Sequence, residues 1–196
     1  DIHQENDAKS EVKNTGSIVA TDGKAAIRIN KEAELKLGGT GEVRGSGDAD
    51  GVRIHSGGSL EMDEATVNVD GTGGSALHFM DQDLDDTDPL PTFELKGSGN
   101  VIVEGTNTHG ITVEGEDADG NPTMGHANFD SSGATGLTVT VEAESKGHGI
   151  HTNISGFVKN AAEVNINSTV GGSALIVEGE TELIENSGTL TSQSTN

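Results

Sequence analysis

The sequence predicts an all-β fold, a right-handed three-faced parallel β-helix. Three observations carry this: an alternating apolar unit that returns every 25 residues, glycine-rich punctuation between short strands, and a near absence of large aromatic side chains. The unit is a small residue followed by alternating apolar positions: 26-AIRI-29, 51-GVRI-54, 76-ALHF-79, 110-GITV-113, 149-GIHT-152 and 174-ALIV-177. Its lead apolar residues are Ile27, Val52, Leu77, Ile111, Ile150 and Leu175, with Ile2 one step earlier. From Ile2 onward the intervals are 25, 25, 25, 34, 39 and 25 residues, so two periods carry insertions.

Each period holds two further strands. About eight residues after the first come Leu35 and Leu37, Leu60 and Met62, Phe93 and Leu95, Val158, and Leu183. A third set follows at Val43, Val67 and Val69, Val101 and Val103, Leu137 and Val139, and Val164 and Ile166. Segments such as 38-GGTGE-42, 45-GSGDADG-51 and 97-GSGN-100 separate them and supply turns that need positive φ. No apolar stripe of helical period persists, which excludes helices from nearly the whole chain. One such coil cannot bury its inner face alone, but stacked coils share a continuous Val/Ile/Leu column. A β-sandwich would instead show irregular strand spacing and hairpin turns. Residues 1–196 are therefore read as a single domain of seven to eight coils of about 25 residues. At ~4.8 Å per coil this makes a rod about 35 Å long, expected to belong to a longer solenoid.

The composition fits. The chain has 29 glycines, three prolines, four Phe and no Cys, Trp or Tyr. A narrow interior of stacked aliphatic residues explains the missing aromatics. No run of apolar residues is long enough for a membrane-spanning helix, and no basic start leads into an apolar stretch, so any signal peptide is expected to be gone already. The formal charge of −22 makes nucleic acid a poor partner.

Units such as 51-GVRIHSGGSLEMDEATVNVDGTGGSAL-77 and 171-GGSALIVEGETELIENSGTLTS-192 resemble the passenger domains of autotransporters, the Gram-negative type V secretion family. The likeness lies in Gly-rich turns, small-apolar strands and absent cysteine, and it covers nearly the whole chain. It implies export through the outer membrane and display at, or release from, the cell surface. The function it implies is non-catalytic: adhesion, bacterial self-association or host-receptor engagement. The partner would be a protein or glycan on a host or bacterial surface, or a second copy of the chain. A secreted effector or toxin fragment is a further reading.

A polysaccharide-processing β-helix enzyme is the alternative from another class. The runs 146-KGHGIHTNISG-156 and 106-TNTHGITVEG-115 resemble motifs of the polygalacturonases. That chemistry needs paired acid and base carboxylates and basic residues for the substrate. Here His109 stands where the family has an aspartate, and no arginine follows Arg53. A calcium-dependent lyase needs carboxylates and an Arg or Lys near the abstracted proton; the acidic residues are present but the late arginine is not. The sequence therefore predicts no catalytic residues.

Binding candidates remain. The residue after each lead should face outward, giving His3, Arg28, Arg53, His78, Thr112, His151 and Ile176. Two residues before the lead stand Ala25, Asp50, Ser75, His109, His148 and Ser173, and His55 lies three after it. Six of the seven histidines thus share one face, with His126 the exception. Arg28, Arg53, His55, His78, His109, His148 and His151 form the candidate partner surface, expected to gain charge below about pH 6.5. His109 and His148, on neighbouring coils, would supply two imidazoles to a metal, an incomplete ligand set.

The insertions, at about 80–91 and 115–128, contain all three prolines and should leave the rod as adjacent recognition loops. Their acidic residues are Asp81, Asp83, Asp85, Asp86 and Asp88, then Glu116, Asp117 and Asp119, with Asn121 beside them. Calcium is the cation such oxygens suit, and Asp117, Asp119 and Asn121 are its candidate ligands, although the glycine is misplaced for an EF-hand. No other cofactor is expected.

Overall fold

A computed structural model describes residues 2–4, 9–23, 25–30, 33–82, 89–142, 146–168 and 171–192. Among them there is no helix. Parallel strands stack into two sheets, an arrangement consistent with a β-solenoid. The first sheet takes one strand from each period: Ile2–Gln4, Ala25–Ile29, Asp50–His55, Ser75–Asp81, His109–Glu116, His148–Asn153 and Leu175–Glu178. The lead residues stand opposite one another in a single column, Ile2, Ile27, Val52, Leu77, Ile111, Ile150 and Leu175. The two long intervals do not disturb this register.

The second and third strands share one 11-stranded sheet. Outer periods keep them apart, as in Glu34–Gly38 and Glu42–Gly47. In the middle they run together as single bent strands, Ser59–Gly71, Thr92–Val103 and Asn128–Val141, so the expected three separate strands are not uniform. The corner is turned by a bulge instead of a break. Glu64 is skipped between the Asp63–Ser98 and Ala65–Gly99 pairs and takes φ 59°. Gly97 sits beside it at φ 93°, where a Cβ would lie 1.9 Å from the Met62 carbonyl oxygen. Asn128–Val141 also supplies a second-face residue the periodicity missed, Phe129, opposite Phe93 and Val158. In the last period Ile184, not Leu183, stands in the Val158 column.

The small residue that opens each unit has a steric cause. It points inward at the thin edge between the first and third faces. A Cβ on Gly51 would come within 2.5 Å of Val67 Cγ1, on Gly110 within 2.4 Å of Val139 Cγ1, and on Gly149 within 2.2 Å of Val164 Cγ1. Elsewhere the interior is continuous, with Ile27, Leu37, Val52, Leu77, Val101, Ile111 and Ile150 all fully buried. Each such side chain contributes roughly 1.5–3 kcal/mol of burial. The interior is not purely aliphatic. Phe79, Phe93 and Phe129 pack together where the first face turns into the second, with Phe79 5.5 Å from Phe93 and 5.3 Å from Phe129 between ring centroids.

That corner is also where both insertions leave. The first begins later than expected, because the strand continues through Asp81. Asp81 is fully buried and accepts hydrogen bonds from Ser56 Oγ at 3.0 Å and the His126 amide at 2.9 Å. It ties the bases of the two insertions together and is not an exposed recognition residue. Asp83, Asp85, Asp86 and Asp88 lie outside the described residues. The second insertion is partly sheet: Gly115 and Glu116 pair antiparallel with Thr123 and Pro122. Pro122 is tolerated because it starts a two-residue edge strand, where its missing N–H costs no ladder bond.

Candidate functional site

Alternation along the first sheet places the predicted columns side by side. Arg28, Arg53, His78, Thr112, His151 and Ile176 form one column, and Asp50 joins Ala25 in the next. His109 stands between Ser75 and His148. The sheet therefore brings Arg28, Arg53, His78, His109, His148 and His151 onto one face. His55 departs from the expectation: it is only 4% exposed, and Arg28 Nε donates to its Nε2 at 2.8 Å. Burial, then the charges of Arg28, Arg53 and His78, push its pKa down to about 4.

The centre of the face is a charge network rather than a basic stripe. The Asp50 carboxylate accepts from Arg53 Nε at 2.7 Å and from the Ser75 amide at 2.9 Å. His78 Nδ1 lies 3.0 Å from the same carboxylate, and His78 Nε2 lies 3.0 Å from Glu114 Oε1. With a carboxylate at each nitrogen the imidazole is held as the doubly protonated cation. Burial works against that charge, but Asp50 and Glu114 outweigh it and raise His78 to about 9. Burial would likewise raise Asp50, yet His78, Arg53 and the Ser75 amide hold it below the usual carboxylate range. Beside this clamp, the Ser75 and Thr112 hydroxyls share a hydrogen bond of 2.7 Å.

The other three histidines form an imidazole cluster. His109 and His148 stack at 5.2 Å with 12° between their planes, and His151 tilts against His109 at 5.1 Å. Burial first, then the neighbouring histidines, depress His109 to about 3 and lower His148 as well. The expected gain of charge near pH 6.5 is therefore absent at these positions: His78 is charged well above that pH, while His55 and His109 resist protonation well below it. The His148 Nδ1 lone pair accepts from the Ser173 amide at 3.0 Å, which leaves the hydrogen on Nε2 and no free lone pair for a metal. Among the described residues no three His, Asp or Glu side chains converge in a way that could hold a metal ion. His109 Nδ1 is buried without a hydrogen-bond partner.

At the proposed calcium loop, the Asp117 carboxylate caps its own turn. It accepts from the amides of Asp119 and Asn121, both at 2.9 Å, and from Asn121 Nδ2 at 3.3 Å. These bonds lower its pKa, those from Asn121 most. The sequence spacing Asp-x-Asp-Gly-Asn thus has a local structural use in closing the hairpin.

Between clamp and cluster lies an open trough of about 270 Å³, walled by Asp48, Asp50, Arg53, Ser75, His78, His109, Thr112, Glu114 and His151, with Pro122 reaching over from the hairpin. Sequence reasoning had the basic residues of this wall and overlooked Asp50, Glu114, Ser75 and Thr112 as members. The signal was available in part, because Asp50 and Ser75 occupy the same column as His109 and His148. No protein family, curated protein or solved structure matches the chain.

Proposed function

We propose that the chain is a non-catalytic binding module, a right-handed parallel β-helix of seven to eight coils displayed on, or released from, a bacterial cell surface. The hand follows from the strong preference of parallel crossover connections, and the coil number from the 25-residue period. The observation that carries the binding reading is the trough on the first sheet. Its central ionic groups are engaged with one another, Asp50 with Arg53 and His78, and His78 with Glu114, while Asp48 lines the trough outside that network. A preformed polar surface on a rigid scaffold suits recognition. Acid–base catalysis would need a carboxylate or imidazole free to exchange a proton, and here Asp50 and Glu114 both serve to hold His78. The resemblance to autotransporter passengers supports an adhesive or receptor-engaging role, with a protein or glycan partner.

The test is binding of the labelled chain to intact epithelial and bacterial cells, comparing the parent with His109→Ala and His151→Ala. Saturable binding weakened by the variants is expected. Equal binding by all three, or turnover of an acidic polysaccharide by the parent, would overturn the assignment.

A further inference from the structure

We propose that the interface between strands His109–Glu116 and His148–Asn153 is an acid-sensitive seam, which opens when the imidazoles facing one another across it take up protons. This concerns the scaffold and does not depend on which partner the chain binds.

The interfaces on either side of the seam are tied by polar contacts. Toward the N-terminus, Ser75–Asp81 is joined to His109–Glu116 by the His78–Glu114 pair and the Ser75–Thr112 hydroxyl bond. Toward the C-terminus, His148–Asn153 is joined to the next period by the Ser173 amide on His148 and by His151 Nε2, 3.3 Å from Glu178. Between these two, His109 stands opposite His148 and Thr112 opposite His151. What meets there is imidazole on imidazole, at 5.2 Å for His109 with His148 and 5.1 Å for His109 with His151.

The closed seam has no place for added protons. An imidazolium carries hydrogen on both nitrogens. His109 Nδ1 is buried without a hydrogen-bond partner, so the N–H of its cation would find no acceptor, a costly state for a charged donor. His148 can gain a proton only at Nδ1, where the lone pair now accepts from the Ser173 amide. Charging His148 therefore breaks that bond. Two charged rings would also face each other across the strands. The surrounding charges do not offset this. His78, on the strand before, is itself a cation, and Asp50 and Glu114 are spent on it. Arg53 is paired with Asp50, Asp48 lines the trough they share, and Glu178, on the strand after, faces His151. The depressed pKa values of His109 and His148 agree with this geometry. One sheet thus treats protons in two ways: the His78 clamp is closed by a proton, and the seam is closed by the lack of them. Opening bares Ile111 and Ile150, both fully buried in the closed form.

The experiment follows hydrogen exchange of the full chain at pH 6.5 and 4.5, with rates corrected for the intrinsic pH dependence of amide exchange. A histidine that is neutral when closed and ordinary when open shifts the opening equilibrium by about tenfold per pH unit below 6.5. Protection of the His109–Glu116 and His148–Asn153 amides should therefore fall by about 50-fold or more over this range. At both pH values these amides should exchange faster than those of Ser59–Gly71, which marks a local opening. In the double variant His109→Gln/His148→Gln the fall should shrink to about fivefold or less. The same fall in the double variant overturns the proposal, as does exchange of the seam at the rate of Ser59–Gly71. Should the double variant not fold, the parent decides by its imidazole resonances. His109 should remain a neutral ring at pH 4.5 in the closed form, and a His109 that titrates near pH 6.5 with the seam still protected overturns the proposal.

Discussion

Replacing His78 by glutamine isolates the energetics of the central clamp. In the parent, His78 carries a proton held by Asp50 on one side and Glu114 on the other, both at 3.0 Å. Its folded pKa, about 9, stands above the ordinary 6.5. A raised histidine stabilises the fold fully below its unfolded pKa and loses that contribution as the pH climbs through its folded one. The window is therefore pH 6.5 to 9, and a shift of that size corresponds to about 3 kcal/mol. Urea unfolding at half-unit steps across this window should show the parent losing stability steadily on the alkaline side. His78→Gln keeps a side-chain donor but cannot titrate, so its midpoint should be nearly flat there. At pH 6.5 the variant should be less stable by roughly 3–5 kcal/mol, the cost of leaving a buried carboxylate without its charged partner. A parent whose midpoint does not move between pH 6.5 and 9, or a variant with the same slope as the parent, would refute the reasoning.

Other outcomes follow from the same structure. On the acid side the sign reverses: His55 and His109 have depressed pKa values of about 4 and about 3, so stability should fall as pH drops below 6.5, and His109→Asn should soften that decline in acid-titration dichroism. Gly149→Ala drives a Cβ to 2.2 Å from Val164 Cγ1 and 2.7 Å from the Ala174 carbonyl oxygen and should cost about 1–3 kcal/mol in urea unfolding, with only part of the loss restored by adding Val164→Ala, because the backbone contact remains. Phe129→Ala removes a ring packed on Phe79 and should cost about 3–5 kcal/mol by thermal unfolding. Asp117→Ala should leave the global midpoint in place while speeding hydrogen exchange of the Asn121 and Asp119 amides it holds.

The first-face register was legible because alternation with a small inward residue is a steric demand repeated in every period. Gly51, Gly110 and Gly149 each face a valine across the interior, and a one-residue slip would turn every lead residue outward. What could not be read were features set by contacts between periods. His55 follows the alternation that should expose it, yet is buried. Asp81 reads as one more acid in an acidic loop, yet it receives hydrogen bonds from Ser56 and His126, 25 and 45 residues away. The partner of Asp50 and Glu114 is a residue 28 and 36 positions distant, the second across an insertion. Composition suggested a weakly basic face, because counting basic residues does not reveal which carboxylates neutralise them. The Glu64 bulge was hidden for a related reason: its left-handed φ falls on a residue type with no preference for it.

Stacked-repeat chains ordinarily melt piecemeal, since each repeat holds only its two neighbours and ends can peel away. His78 obeys that rule of adjacency but couples both of its repeat's interfaces through one side chain. Its two nitrogens grip acids from the strand before and the strand after its own, so Asp50–His55, Ser75–Asp81 and His109–Glu116 are bound by one ring. Loosening either outer strand strands a charge at the middle one. The midsection should therefore open as a block, and peeling from either end should halt there, which keeps the trough assembled while the termini fluctuate.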